Sequence, residues 1–342
     1  MIRETLKRES IGVIGSARMG VALAHQLAEH GRDVVLYTTM EDRAEALRAH
    51  RALPEIIPEL AALHASVEVT TNPHQLAASC TLVFVTTSDY LLEGVISRFG
   101  DHLDGAHLVV HMTHSLYGER LTRTSQLIEE LTCVKQIGAL AGPIHVSELL
   151  AMNPNVALVG SEFPEVIVRT SEVLASSNFR VYGSNDIRGL EYAAALHQVV
   201  ALAAGLVDGA GIGSATRSAM VSAGLGEITR VGVACGAGRE SFHGLVGVGR
   251  LVDALQRGEP NYELGVALGR SPKLKETLAN ASVEAKSPEV IALLLEWAAA
   301  RDMRLPFVES MGRVLRGEAR IGAECRGLMT RSELFAQSLD GL

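Results

Sequence analysis

No run of lysine and arginine occurs in this sequence, and 31 basic residues are outnumbered by 39 acidic ones, for a formal net charge of -8. A nucleic-acid footprint therefore has nothing to rest on, and a small molecule is the expected partner. Cysteine is scarce: Cys80, Cys133, Cys235 and Cys325 stand far apart without a C-x-x-C pair, which argues against structural zinc and against a disulfide framework. All four read as buried thiols. Long apolar runs are missing too. Leu82 to Val85 and Val199 to Val207 fall short of the roughly 20 residues that cross a bilayer, so no membrane partner is expected. The first ten residues mix both charge signs and contain no apolar stretch, so neither a signal nor a transit peptide is expected, and the cytoplasm is the expected location.

What is present is the composition of a globular enzyme, with 47% hydrophobic and 20% charged residues. A chain of 342 residues exceeds the usual single domain, so two domains are expected. In the first half, apolar strand patterns alternate with helical ones. Ile11 to Gly15 meets a glycine turn and the helical pattern Val21 to His30, with Gly31 closing that helix. Strand patterns recur at Asp33 to Thr38, Val67 to Thr70, Leu82 to Thr86, His107 to His111, Gln136 to Leu140, Val156 to Val159 and Phe179 to Tyr182. Such alternation predicts a parallel sheet covered by helices. After Gly183 the strand patterns stop, and helices fit Ile187 to Val207, Ser214 to Cys235, Pro288 to Ala300, Leu305 to Leu315 and Ile321 to Leu339. The expected division is 1–184, an α/β Rossmann-type domain, and 185–342, an all-α domain for substrate and dimerisation. The helices Ser214 to Cys235 and Pro288 to Ala300 suit either a homodimer face or packing within one domain.

The first strand, turn and helix carry Gly15-Ser16-Ala17-Arg18-Met19-Gly20, a G-x-A-x-x-G loop. Gly15 makes the tight turn, Gly20 allows close packing of helix on strand, and the helix N-terminus offers free N–H groups to a pyrophosphate. Ala17 places a methyl group where the middle glycine usually stands. At the end of the second strand an NAD-specific domain places Asp or Glu on the ribose, whereas here Tyr37, Thr38 and Thr39 follow one another. With no carboxylate to repel a 2′-phosphate, and with Arg18 and Arg43 near, NADP is slightly favoured over NAD. Solvated surface charge is the other reading of these arginines.

Together these segments and several later ones resemble the NAD(P)-dependent glycerol-3-phosphate dehydrogenase family. Ala141-Gly142-Pro143 with Glu148 is similar to the family's GPSFAxE. The stretches Ala194-Ala195-Leu196-His197-Gln198-Val199 and Ala203-Ala204-Gly205-Leu206-Val207-Asp208-Gly209 resemble GALKNVIAIAAGIxDG. Gly244 to Gly249, Glu284 and Leu328-Met329-Thr330-Arg331 extend the likeness over nearly the whole chain. The resemblance implies a Rossmann domain, a helical C-terminal domain of the 6-phosphogluconate dehydrogenase-like kind, and a cleft between them for hydride transfer. It assigns cofactor contacts to the Gly15 to Gly20 loop, Thr38, Thr39, Arg43, Thr86, Val146 and Glu284. Gly142, His145 and Asn261 are carried over as substrate contacts.

The departures from the family concern its chemistry. His197 stands where the family has its active-site lysine on the central helix, and His114 replaces a second lysine after the fifth strand. Arg250 replaces the aspartate of GLAGLGDL, Ala254 a threonine, Ile144 the serine of GPSFA, and Pro260 the arginine of a Ser-Arg-Asn motif. Two lysines and an arginine are cations suited to holding a phosphate dianion and polarising a carbonyl. Their loss argues against glycerol 3-phosphate as substrate. Histidine can carry the proton that carbonyl reduction or alcohol oxidation needs, so His197 and His114 are the candidate catalytic residues, also touching substrate. Arg250 suits a substrate carboxylate or phosphate, or else a salt bridge. His111, His114, His145 and His197 map near the implied cleft, but no metal is expected, because closer ligand spacing or carboxylate partners would mark one. The reading is an NAD(P)-dependent oxidoreductase acting on a different small polar or anionic hydroxy, keto or imine compound. A catalytically silent dinucleotide-binding sensor or partner protein is the alternative.

Overall fold

The computed structural model describes residues 10–271 and 273–331. Eight strands form one sheet: β1 (Ser10–Ile14), β2 (Val34–Tyr37), β3 (Val67–Thr70), β4 (Cys80–Val85), β5 (Leu108–His111), β8 (Gln136–Ala141), β9 (Asn155–Ser161) and β10 (Phe179–Ser184). The short β6 (Leu116–Tyr117) and β7 (Thr122–Arg123) form a separate two-stranded ribbon that the sequence patterns do not signal. The main sheet runs β10-β9-β8-β5-β4-β1-β2-β3. Its central strands are β-branched and apolar because helices cover both faces: Val13, Ile14, Val83, Phe84, Val109 and Val110 are fully buried.

The sheet is not wholly parallel, which corrects the sequence expectation. β9 runs antiparallel to β8, pairing Gly138 with Ser161 and Ala141 with Leu158, and β10 then runs parallel to β9. The cause lies in the connection after β8. Its helix, Val146–Leu150, has five residues and rises only about 7.5 Å, too little to recross a six-residue strand of about 20 Å. The chain therefore turns back at the same end. By contrast, the eleven residues of Pro164–Leu174 suffice for the parallel crossover to β10.

The described residues form two compact units, 10–115 with 123–191 and 116–122 with the described residues from 192 to 331. Among the described residues the second unit is helical beyond residue 191. The helix Ile187–Gly209 continues into it and is followed by Ser214–Ala234, Arg239–His243, a π-type turn at Leu245–Gly249, Arg250–Ala254, Pro260–Arg270, Leu274–Ala279, Ser287–Ala299, Pro306–Leu315 and Ile321–Met329. Proline opens the helices at 260, 288 and 306, where a missing N–H costs nothing. Among the described residues, Ile187–Gly209 is the one helix long and apolar enough to cross a membrane, and 94% of its most apolar window is buried inside the protein, as in a core helix. Two further expectations change. Cys133 is exposed and Cys235 half-buried, while Cys80 and Cys325 are buried. The tail of the helix expected over Ile321 to Leu339 lies outside the described residues beyond Arg331.

Candidate active site

In the first unit the glycine loop follows β1 directly. Gly15 has φ +121°, a conformation that L side chains rarely adopt, and a methyl group on Gly20 would come within 1.9 Å of the Gly15 carbonyl oxygen. Val21 N–H is the first to reach a helical carbonyl, that of Ala17, so the amides of Arg18, Met19 and Gly20 precede the ladder. Ala17, extended at φ -76° and ψ 174°, supplies no side-chain cap. A cradle that admits no side chain, at an uncapped helix N-terminus, fits the pyrophosphate of a dinucleotide.

Thr86 donates its hydroxyl to the carbonyls of Ile14 and Gly15 at 3.0 and 3.3 Å, tying β4 to the loop. Thr38 is buried, its hydroxyl 2.7 Å from Ser16 Oγ and accepting Met40 N–H at 3.2 Å, while Thr39 is exposed. Arg43 reaches the Ser16 carbonyl at 3.5 Å. Arg18 is held elsewhere, pairing with Glu59 at 2.5 Å and facing the Ile56 carbonyl at 3.5 Å. Sequence reasoning missed Thr87. Its hydroxyl is buried without a hydrogen-bond partner among the described residues, and its backbone N lies 3.2 Å from where a Gly15 methyl would be.

His114 sits half-buried just past β5, its ring centroid 6.3 Å from that of His111. At the end of β8, Gly142 is buried against the backbone of Val156 and Ala157, and His145 and Val146 open the short helix beside it. In the second unit His197 is buried on Ile187–Gly209. Burial and then the Arg250 guanidinium push its pKa down to about 3, against the pull of the Ala194 and Ala193 carbonyls. His197 is thus a neutral imidazole near pH 7. Burial also lowers the Arg250 pKa, offset by Glu259 and Asp253. Asn261 is already engaged: it accepts Ser287 N–H at 2.8 Å and donates to Gln198 Oε1 at 3.4 Å. Glu284 is exposed and lines a groove of about 710 Å³ with Glu263, Lys273 and Glu276.

The architecture is that of the NAD(P)-linked dehydrogenases with a Rossmann sheet and a helical second part. A crystal structure of glycerol-3-phosphate dehydrogenase from Coxiella burnetii, 22% identical, matches with a TM-score of 0.84 over 95% of this chain and 100% of that one. Family models for the N-terminus and the C-terminus of NAD-dependent glycerol-3-phosphate dehydrogenase match residues 10–166 and 186–324. Glycerol-3-phosphate dehydrogenase [NAD(P)+] of Pseudomonas aeruginosa is 30% identical over 96% of this chain and 96% of its own length. The Exiguobacterium enzyme of that name is 29% identical over 95% and 96%. The chain belongs to the NAD(P)-dependent glycerol-3-phosphate dehydrogenase family.

Proposed function

We propose that this protein transfers a hydride between NADP or NAD and a small anionic hydroxy, keto or imine compound other than glycerol 3-phosphate. Family membership makes it an NAD(P)-dependent oxidoreductase. The substrate reading rests on one observation, the neutral imidazole of His197 under the influence of the Arg250 guanidinium at positions where the family resemblance has lysine and aspartate.

The glycine loop, Thr38, Thr39, Arg43, Thr86 and Val146 hold the dinucleotide, within a functional division at 184/185. When bound, the nicotinamide supplies or accepts the hydride. A neutral imidazole N–H polarises a substrate oxygen without carrying charge, as in other enzymes that keep histidine neutral. Arg250 takes the substrate's anionic group. Its charge is a cause of the low His197 pKa, so neutralisation by an anion raises the proton affinity of His197 as the substrate arrives. His114 is a further substrate contact. Ser16 and Thr38 leave no carboxylate at the ribose, which supports NADP over NAD. A homodimer and a cytoplasmic location complete the reading.

NADPH and NADH consumption across keto acids, aldehydes, cyclic imines and dihydroxyacetone phosphate tests it. Turnover of an anionic member other than dihydroxyacetone phosphate is expected. Robust oxidation of glycerol 3-phosphate overturns the substrate reading, and tight NADPH binding without any turnover favours the silent binder.

A further inference from the structure

Glu191, near the start of the helix Ile187–Gly209, is almost completely buried at 2% exposure, and both its oxygens are crowded with donors. Oε1 accepts Ser125 N–H at 2.8 Å, while Oε2 accepts the Ser125 hydroxyl at 2.7 Å and Arg123 Nη1 at 2.5 Å. His111 Nε2 lies 3.1 Å from Oε1, an ion-pair distance reached off the hydrogen-bond line. Burial pushes the Glu191 carboxyl up, but His111, Arg123 and the Ser125 amide together hold it below the ordinary range. A fully buried polar cluster of this kind is costly to assemble and a poor way to gain stability alone.

What it holds is the turn after β5. The other nitrogen of His111, Nδ1, is 3.0 Å from the Thr113 carbonyl, to which it donates. Both ring nitrogens thus face oxygens, Nδ1 the Thr113 carbonyl and Nε2 the Glu191 carboxylate. The Thr113 hydroxyl donates to the Thr87 carbonyl at 2.7 Å, Met112 N–H to the Val85 carbonyl at 2.8 Å, and the Ser115 hydroxyl to Asp89 at 3.2 Å. His114 lies between these anchors. We propose that Glu191 and His111 form a buried positioning pair that fixes the turn Met112 to Ser115 and thereby the direction in which His114 is offered to the substrate. The consequence for catalysis rests on the reading of His114 given above, whereas the pair itself does not. Histidine has a physical reason to need this support: it is shorter than lysine and cannot reach for a substrate, so its backbone must be placed.

The test is histidine side-chain nitrogen NMR on the full chain labelled with ¹⁵N-histidine, with His111→Gln and His114→Gln used for assignment. In the unaltered protein, His111 is expected to show a protonated Nδ1. Glu191→Gln should displace the His111 Nε2 resonance and move the His114 titration midpoint, with NADPH affinity unchanged. If Glu191→Gln does not fold, the His114 midpoint is read in His111→Gln. A His111 ring lacking its Nδ1 proton in the unaltered protein, or a His114 titration unmoved in a folded variant, overturns the pair. These readouts need no turnover. Full activity of His114→Gln would sink only the role of His114, while a loss of turnover in Glu191→Gln larger than the change in substrate KM would connect the pair to the reaction.

Discussion

At the scale of single residues, the two positions with the clearest separate signatures are His197 and Arg250. Removing a group that polarises or protonates the reacting oxygen costs about 10²- to 10⁴-fold in rate. His197→Ala should lower kcat by that order while NADPH affinity, measured by calorimetry, stays near its original value. Arg250→Ala should chiefly raise substrate KM. It should also shift the pH profile of kcat upward, because a cause of the low His197 pKa is gone. An unchanged profile would show that the two groups are not coupled. Arg18 gives a further prediction. Its exposed pair with Glu59 is screened by solvent and weak, so Glu59→Ala should raise the NADPH-to-NADH affinity ratio only about two- to five-fold. Calorimetric titrations with both cofactors decide this, and an unchanged ratio means that Arg18 does not reach the ribose phosphate.

At the scale of elements, the central helix of the second unit is built for close approach. Gly205 and Gly209 on Ile187–Gly209 face Gly265 and Gly269 on Pro260–Arg270. A methyl group at 205 would come within 2.1 Å of the Tyr262 carbonyl oxygen, and one at 265 within 2.2 Å of the Leu202 carbonyl oxygen. Backbone packs on backbone here, so neither helix can yield without the other. Gly265→Ala should cost about 1–3 kcal/mol, read as a lower denaturant midpoint. Gly226, on the exposed face of Ser214–Ala234, has nothing within 4 Å of its absent Cβ. Gly226→Ala should therefore stabilise by about 0.5–1 kcal/mol. If the two substitutions change stability alike, the close approach does not govern this helix pair.

At the scale of the whole molecule, two buried groups in the second unit oppose each other with pH. Glu227 caps the helix Pro306–Leu315, its oxygens accepting Phe307 and Val308 N–H at 3.1 and 2.8 Å, yet burial pushes its pKa up to about 7. A carboxyl raised on folding binds its proton more tightly in the folded state. Its contribution is full below the ordinary carboxylate range and is lost as pH rises towards 7. His197, lowered to about 3, acts in the other direction: the unfolded chain takes up the proton first, so stability falls as pH drops below about 6.5 towards 3. Each slope is at most about 1.4 kcal/mol per pH unit. Glu227→Gln should therefore make stability rise more steeply with pH between 5 and 7, and His197→Gln should flatten it. Chemical denaturation across that range checks both, and parallel curves for the two variants would refute the assignment.

Much of this was legible in the chain itself, and the division follows sequence separation. All eight strands of the main sheet, the glycine loop and the start of the helical part were written in local patterns, because alternation, helical spacing and turn glycines act over a few residues. The loop's fitness for a dinucleotide was likewise local, since Gly15 and Gly20 lie on one turn. The residues at 114, 197 and 250 were visible as departures, but not what surrounds them. Glu191 meets Ser125 66 positions away, and Glu227 meets Phe307 80 positions away. No local pattern encodes such a pairing, nor the reversal of β9, which depends on a connection too short to recross the sheet. The sequence by itself determined the elements and the residue types available for chemistry. Tertiary structure decided their charge states, because desolvation and neighbouring charges exist only once distant segments are packed together.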